Sequence, residues 1–322
     1  MNEAGRGALG QGGEQARRAD AAAPARVADA RQRFSGVRRR TPGARRQAQR
    51  WLVRVAFVLS LAVLVFWALA PLFYTLLTSL RSGADLFRTD LFGGSFSWSN
   101  YVDVFRDQPF GRNILNSVIV ATAVVAISLA LALSAAWALG RVVFRGRAAL
   151  LVTVLLVSMF PQVAVLSGLF ELIRFFGLYD TLPGLVVANL MLTLPFTVWV
   201  LTTFIRELPQ EVEEAARMDG ARMPTLVGRI FLPMMMPAMA STGLLAFLVA
   251  WNEFLFALTF TLSADSRTVP VAIALLSGAS TQELPWGQIM AASVIVTLPV
   301  VLLVVVFQRR IVSGLSAGAV KG

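Results

Sequence analysis

The stretch EAARMDGARMPTLVGRIFLP, from Glu214 to Pro233, lies between two apolar runs and decides how the rest of the chain is interpreted. Pro209 and the acids after it predict the start of a helix, because a helix N-terminus tolerates proline and its dipole favours carboxylates. Gly220 is expected to end that helix, since glycine adopts positive φ readily. Pro224 can open a second short helix, which we expect Pro233 to end. The sequence therefore predicts a helix–turn–helix platform outside the apolar runs.

The composition is that of a protein with several membrane-spanning segments. Of the 322 residues, 57% are hydrophobic and 15% are charged, whereas soluble domains carry roughly 25% charged residues. The chain has no cysteine and no histidine, which excludes disulfides, thiolate chemistry and histidine-based catalysis. No cluster of carboxylates supports a metal site. We therefore expect neither catalytic residues nor a bound metal in this chain.

Six apolar runs are each long enough to cross a membrane as a helix, which takes about 20 residues. They lie at 52–79, 113–139, 148–170, 185–205, 237–262 and 287–308. We predict an all-α polytopic membrane protein with six transmembrane helices in a domain from 51 to 308. Prolines inside four of the runs predict kinks: Pro71, Pro161, Pro195 and Pro299.

Positive charge divides the connecting segments into two sets. One set contains 12, 3, 4 and 3 Lys or Arg, in the segments 1–51, 140–147, 206–236 and 309–322. The other set contains 4, 1 and 1, in the segments 80–112, 171–184 and 263–286. Because cytoplasmic loops carry the excess of Lys and Arg, both termini and the platform are predicted to be cytoplasmic.

Residues 1–50 are predicted to be a disordered cytoplasmic tail, since they contain 12 Arg and 4 acids without apolar periodicity. The basic region is too long for a signal peptide, so we expect the first apolar run to be an uncleaved anchor. Two interpretations of the run from Arg38 to Arg50 stay open: it only sets the topology, or it also contacts membrane lipid through anionic headgroups. We expect no nucleic acid partner, because the charge follows the membrane topology.

Seven residues of the platform occupy the fixed positions of a signature, E-A-A, three residues, G, nine residues, I-x-L-P. They are Glu214, Ala215, Ala216, Gly220, Ile230, Leu232 and Pro233. In these residues the chain resembles the permeases of bacterial ABC importers. The resemblance implies that the platform, at 206–236, holds the coupling helix that docks on a separate ATPase subunit. The alternative is an amphipathic loop helix without a partner.

Three further segments resemble the carbohydrate-importing, MalG-like branch of that family: FSWSNYVDVF before the second helix, WNEF in the fifth, and the terminal QRRIVSGLSAGAVKG. The resemblance implies a MalF-like second permease, a homodimeric MalK-like ATPase that binds ATP and Mg²⁺, and an extracytoplasmic sugar-binding protein. It implies alternating access for maltose, trehalose or a related sugar across a bacterial inner membrane. The chain's single lysine, Lys321, is not followed by Ser or Thr, so it forms no phosphate-binding loop and the chain is not expected to be an enzyme.

Glu253, with Asn252 beside it, lies inside the fifth apolar run, where a carboxylate is costly and by default functional. Either these residues contact the translocation pathway, or Glu253 makes an internal hydrogen bond that holds helices together.

The resemblance assigns two more contacts. The loop at 277–286 would reach into the binding protein, through Ser280, Thr281, Gln282 and Glu283. The cytoplasmic tail at 309–322, which we expect to be flexible, would contact the ATPase through Gly314, Gly318 and Lys321. The alternatives are an ordinary turn for the loop and a disordered end for the tail.

Two other functions stay open on the sequence. An ABC permease for a non-sugar solute would carry the same platform signature. A secondary carrier that works alone would need ionisable groups near the membrane midplane, and Glu253 is a single such group. A membrane enzyme lacks the reactive side chains it would need.

Overall fold

The computed structural model describes residues 44–87, 90, 93–276 and 284–319, with side chains described from 49 to 308 apart from those of 84 and 87. These residues form helices, a 3₁₀ turn at Gly83–Phe87 and one isolated bridge between Arg81 and Phe96. The helices are α1 (Ala44–Ser79), α2 (Ser99–Asp107), α3 (Phe110–Arg141), α4 (Arg147–Ser158), α5 (Gln162–Phe175), α6 (Leu182–Glu207), α7 (Gln210–Met218), α8 (Met223–Trp251), α9 (Leu255–Phe260), α10 (Val269–Leu276) and α11 (Trp286–Ala319).

The helices with the length and apolarity of membrane spans agree with the predicted fold class. They are Gln49–Ser79, Phe110–Arg141, Leu182–Glu207, Met223–Trp251 and Trp286–Gln308, and α4 with α5 makes a sixth when the bent pair counts as one span. The prediction of an all-α membrane protein with six spans is therefore confirmed.

The described part of the chain divides into two units, the first ending at Leu69 and the second beginning at Ala70. In the first unit, α1 exposes every side chain from Trp51 to Leu69 except that of Val55, which is half-buried. Nothing charged follows Arg54 in this helix. Such an apolar surface suits lipid, since a helix satisfies its own backbone hydrogen bonds there.

The core of the second unit is built on the contact between α3 and α6. Small residues on α3 let the two backbones approach closely, as is usual in membrane helices. One buried cluster contains Val120, Ala121 and Val124 of α3 and Leu185, Val186 and Ala188 of α6. A second contains Ala132, Ala136 and Leu139 of α3, Val198, Leu201 and Ile205 of α6, and Met235 and Ala238 of α8. Between them, the hydroxyls of Ser128 and Thr193 hydrogen-bond at 2.8 Å.

The third span is broken, so the prediction of one helix over 148–170 is wrong. Helices α4 and α5 meet at 95°. The break falls at Pro161, which precedes α5 with an extended ψ of 126°. A proline cannot donate a helical hydrogen bond and disfavours helix in the residue before it, so the predicted kink here becomes a full break.

Three other predictions are corrected. The fifth run is not one helix over 237–262, because α8 ends at Trp251 and residues 252–254 are not helical. The predicted loop from Ser263 to Trp286 contains α10. The tail after Gln308, predicted to be flexible, continues α11 as far as Ala319.

The prediction that Pro233 ends the second helix of the platform is wrong. Helix α8 passes through it, by way of a π-helical turn at Leu226–Phe231. At the end of that turn the Leu232 N–H donates to Val227 O, five residues back. Pro233, which has no N–H, then takes an early position of the α-helix that follows, where the missing donor is tolerated. The platform therefore runs directly into the fifth span.

Candidate functional site

Helix α7 begins and ends as the sequence predicts. Pro209 precedes its first residue, and Glu211 and Glu213 lie in its first turn. It ends in a Schellman motif, with Ala221 N–H donating to Ala216 O and Gly220 N–H to Arg217 O, both at 3.0 Å. Gly220 has a φ of +77°, and a Cβ there would meet nothing within 4 Å. The positive φ, and not a lack of space, is therefore what favours glycine at this position.

The signature residues divide between two faces of the platform. Glu214, Ala215 and Gly220 are exposed, and Met218 beside them is 88% exposed. Ala216 is buried, Ile230 and Leu232 are half-buried, and Pro233 is exposed. The first group therefore forms an outward face that a partner can reach, and Ala216 belongs to an inward face.

The inward face packs on the end of α3. Ala216, Leu226 and Phe231 form a buried cluster to which Trp137 of α3 is added, and the Trp137 and Phe231 rings lie 4.5 Å apart, edge to face. The platform is thus supported by the second span as well as by the two spans it connects.

Two charged residues that the sequence analysis did not single out hold this arrangement. The Arg141 side chain, at the end of α3, is 6% exposed, and its Nε lies 3.8 Å from Glu213 Oε2 on α7. Glu213 Oε1 also accepts a hydrogen bond from Arg217 at 2.6 Å. The one signal for this in the sequence was the Glu213–Arg217 spacing of four, which pairs charges along a helix. Glu214, the next residue, is exposed.

Glu253 lies in the break between α8 and α9 and is 7% exposed. Its Oε1 accepts hydrogen bonds from Phe256 N–H and Gln162 Nε2, both at 2.7 Å, and its Oε2 accepts one from Ala257 N–H at 3.0 Å. These contacts cap α9 and tie it to α5, which favours the internal hydrogen-bond interpretation. Asn252 is exposed and donates to Leu248 O of its own helix.

We call the end of the second unit that carries α7 the platform end, and the end that carries residues 176–181 and 261–268 the loop end. At the loop end, Asn113 donates to the carbonyls of Ala264 and Arg267, and Asn116 donates to those of Asp265 and Arg267. These two amides fix a segment that lies about 150 residues further along the chain.

Asp180 also holds this segment, through its carboxylate. One carboxylate oxygen accepts from Leu262 N–H at 2.9 Å and from Ser263 N–H at 3.1 Å. Burial raises the pKa of Asp180, but these two amides and the hydroxyls of Ser263 and Ser266 outweigh it and lower the pKa below its ordinary value. The residue has a φ of 58°, in the left-handed region.

The remaining predicted contacts are outside or at the edge of what the structure describes. Ser280, Thr281, Gln282 and Glu283 lie outside the described residues, and so does Lys321. Gly314 and Gly318 are part of α11. Among the residues from 44 to 319 that are described, no three acids come together in a group that could hold a metal ion.

Comparison with known proteins identifies the family. Residues 128–317 match the family described as binding-protein-dependent transport system inner membrane component. The trehalose transport system permease protein SugB of Mycobacterium tuberculosis is 36% identical over 280 residues, which are 87% of this chain and 100% of that protein. The trehalose/maltose transport system permease protein MalG of Thermococcus litoralis is 38% identical over 273 residues, 84% of this chain and 98% of that protein.

A solved structure has the same fold. It is a chain of a bacterial ABC transporter involved in the import of the acidic polysaccharide alginate, with a TM-score of 0.71 and 22% identity, covering 84% of this chain and 99% of that one. The resemblance drawn from the platform signature is confirmed, and the chain belongs to the family of binding-protein-dependent transport system inner membrane components.

Proposed function

We propose that this chain is a permease subunit of a bacterial ABC sugar importer, which moves a sugar such as trehalose or maltose into the cytoplasm. Permeases named for trehalose and maltose transport align with 84% to 87% of the chain, and this observation carries the proposal. The platform agrees with it, because α7 presents an exposed face while its other face is anchored in the bundle. That is the arrangement a subunit needs when another protein supplies its energy.

The proposed assembly contains four kinds of protein. A second, MalF-like permease pairs with this chain, a homodimeric MalK-like ATPase binds ATP and Mg²⁺, and an extracytoplasmic protein delivers the sugar. The platform end and both termini face the cytoplasm, in keeping with the distribution of Lys and Arg. The tail with Gly314, Gly318 and Lys321 contacts the ATPase, and the loop with Ser280 to Glu283 contacts the binding protein.

In the proposed mechanism the chain itself carries out no chemistry. ATP binding closes the ATPase dimer, which moves the coupling helix through Glu214, Ala215, Met218 and Gly220. The two permeases then rock from inward-facing to outward-facing, and hydrolysis returns them. Glu214 on this face can pair with an arginine of the ATPase, and the small side chain of Ala215 allows close approach.

The test is uptake by the reconstituted complex. The chain is co-expressed with a candidate second permease and a candidate ATPase of the same organism, co-purified with them, and placed in liposomes with the binding protein. Labelled trehalose, maltose and an amino acid are then offered in turn. We expect ATP-dependent uptake of at least one sugar and none of the amino acid. Uptake of the amino acid alone would refute the sugar assignment, and uptake by the chain without any ATPase would refute the importer.

A further inference from the structure

The end of α3 is joined to the platform by one buried arginine. Arg141 Nη2 donates a hydrogen bond to Leu208 O at 2.7 Å, just beyond the end of α6. Its Nε lies 3.8 Å from Glu213 Oε2 on α7. Its guanidinium carbon lies 5.6 Å from the centre of the Phe231 ring at the start of the fifth span. The Arg141 side chain, on the second span, thus contacts α7, the end of the fourth span and the start of the fifth span.

A second arginine braces the same level in the opposite direction. Arg206 of α6 donates from Nη2 to Leu139 O of α3 at 3.1 Å. The two backbones are close here, since a Cβ on Gly140 would lie 2.6 Å from Ile205 Cγ2. Helices α3 and α6 are therefore held together at the platform end, so a movement of either helix displaces both.

The contact between α7 and Arg141 is an electrostatic interaction without a hydrogen bond. Arg141 Nε is buried and has no hydrogen-bond partner among the described residues, and 3.8 Å is too long for one to Glu213. A buried guanidinium interacts strongly with a carboxylate because little water screens the pair. A displacement of α7 of about 1 Å toward Arg141 would bring Nε and Oε2 to hydrogen-bond distance.

We propose that Arg141 is a positioning residue that transmits the movement of α7 to the second and fourth spans, through Glu213 on one side and Leu208 O on the other. This inference rests on the proposed function, because it needs an ATPase that moves α7. Arg141 is not one of the seven signature residues of the platform. Through Arg141, a movement of α7 displaces α3 directly and, through α3, the core that α3 shares with α6.

The test separates coupling from folding by measuring sugar transported per ATP hydrolysed in reconstituted complexes of equal subunit content. Arg141→Met is compared with Arg145→Met, the same substitution at an exposed arginine four residues later. We expect Arg141→Met to keep the ATPase bound and hydrolysing while the ratio falls by about 5- to 150-fold, the usual range for coupling between sites. Arg145→Met should leave the ratio unchanged.

Two milder variants keep the inference falsifiable if Arg141→Met does not assemble. Arg141→Lys retains the charge but lacks the planar fork that reaches Leu208 O and Glu213 together. Glu213→Gln retains the shape but removes the charge on α7. Both should lower the ratio while the complex stays intact, and ratios within about twofold of the wild type in both would overturn the inference. If the wild-type chain binds no ATPase, the proposed function fails instead, whatever these variants do.

Discussion

The platform end and the loop end of the second unit hold their connecting segments by different interactions. At the loop end, Asn113, Asn116 and Asp180 satisfy backbone carbonyls and amides of residues 262–267. At the platform end, Arg141 and a small apolar cluster hold one face of α7 and leave the other exposed. The first arrangement holds a segment still from both sides, whereas the second presents a rigid surface to a partner.

A shared backbone conformation makes the difference clearer. Gly220 and Asp180 both have positive φ, at +77° and 58°. Glycine adopts this conformation without strain, and Asp is one of the few other residues that tolerate it. The platform end uses glycine because only the turn is needed there. The loop end accepts the costlier Asp because its carboxylate holds Leu262 and Ser263.

The largest effect is expected at the platform turn, where Gly220→Pro should abolish most sugar uptake. Proline fixes φ near −65° and removes the N–H that donates to Arg217 O, so the Schellman motif cannot form. A misplaced backbone of this kind costs about 1–3 kcal/mol, and we expect uptake to fall by roughly tenfold or more. The chain should still insert into the membrane. The measurement is ATP-driven uptake by complexes in liposomes, alongside ATPase co-purification.

Gly220→Asn is the matched control. Asn tolerates positive φ, and a Cβ at this position meets no atom within 4 Å. Uptake by Gly220→Asn should therefore stay near the wild-type rate. Normal uptake in Gly220→Pro would show that the turn has no role in coupling. The proposal that the platform end presents its exposed face to a partner would then fail.

The next effect is expected at the loop end, on stability. Asn116→Leu keeps the size of the side chain but removes the donors to Asp265 O and Arg267 O. We expect a loss of about 1–3 kcal/mol, because two hydrogen bonds that contribute about 0.5–1.5 kcal/mol each are removed. The measurement is thermal unfolding of the purified chain in detergent. Asn252→Leu, which removes only a bond to its own helix at an exposed site, should change the unfolding temperature much less.

Much of the platform could be predicted from the sequence, because its features are local. The residues around Gly220 are enough to predict that α7 ends there and that a second helix follows, because glycine favours the turn that ends a helix. The role of Arg141 could not be predicted, since its partners Leu208 and Glu213 lie about 70 residues away and only the packing of α3 on α6 brings them together. The loop end was missed for the same reason. Hydropathy also cannot distinguish one apolar helix from two, so the breaks at Pro161 and Glu253 were read as continuous spans.

A smaller effect is expected from Glu253→Gln, which distinguishes the two interpretations of this carboxylate. The amide can still accept from Phe256 N–H but has no second oxygen for Ala257 N–H, so the cap of α9 weakens. We expect a stability loss of about 1 kcal/mol and an unchanged KM for the sugar. Unfolding temperature and concentration-dependent uptake are measured on the same preparation. A large change in KM with normal stability would instead favour the pathway interpretation.

The smallest effect is expected from Asp180→Asn, and it concerns pH. The pKa of Asp180 is lowered in the folded chain from its ordinary value of 3.8, so the ionised carboxylate stabilises the fold at neutral pH. That contribution is present above the unfolded pKa and is lost as the pH falls through the lower, folded pKa. The wild type should therefore lose stability below about pH 4 more steeply than Asp180→Asn, whose side chain does not titrate.

Asp265→Asn supplies the control for this comparison. Asp265 pairs with Arg112 at 3.5 Å, but both side chains are largely exposed, at 74% and 61%, and such surface pairs contribute little. Unfolding temperatures between pH 7 and pH 3 should then fall equally for Asp265→Asn and the wild type. If Asp180→Asn falls just as steeply as these two, the Asp180 carboxylate does not stabilise residues 262–266.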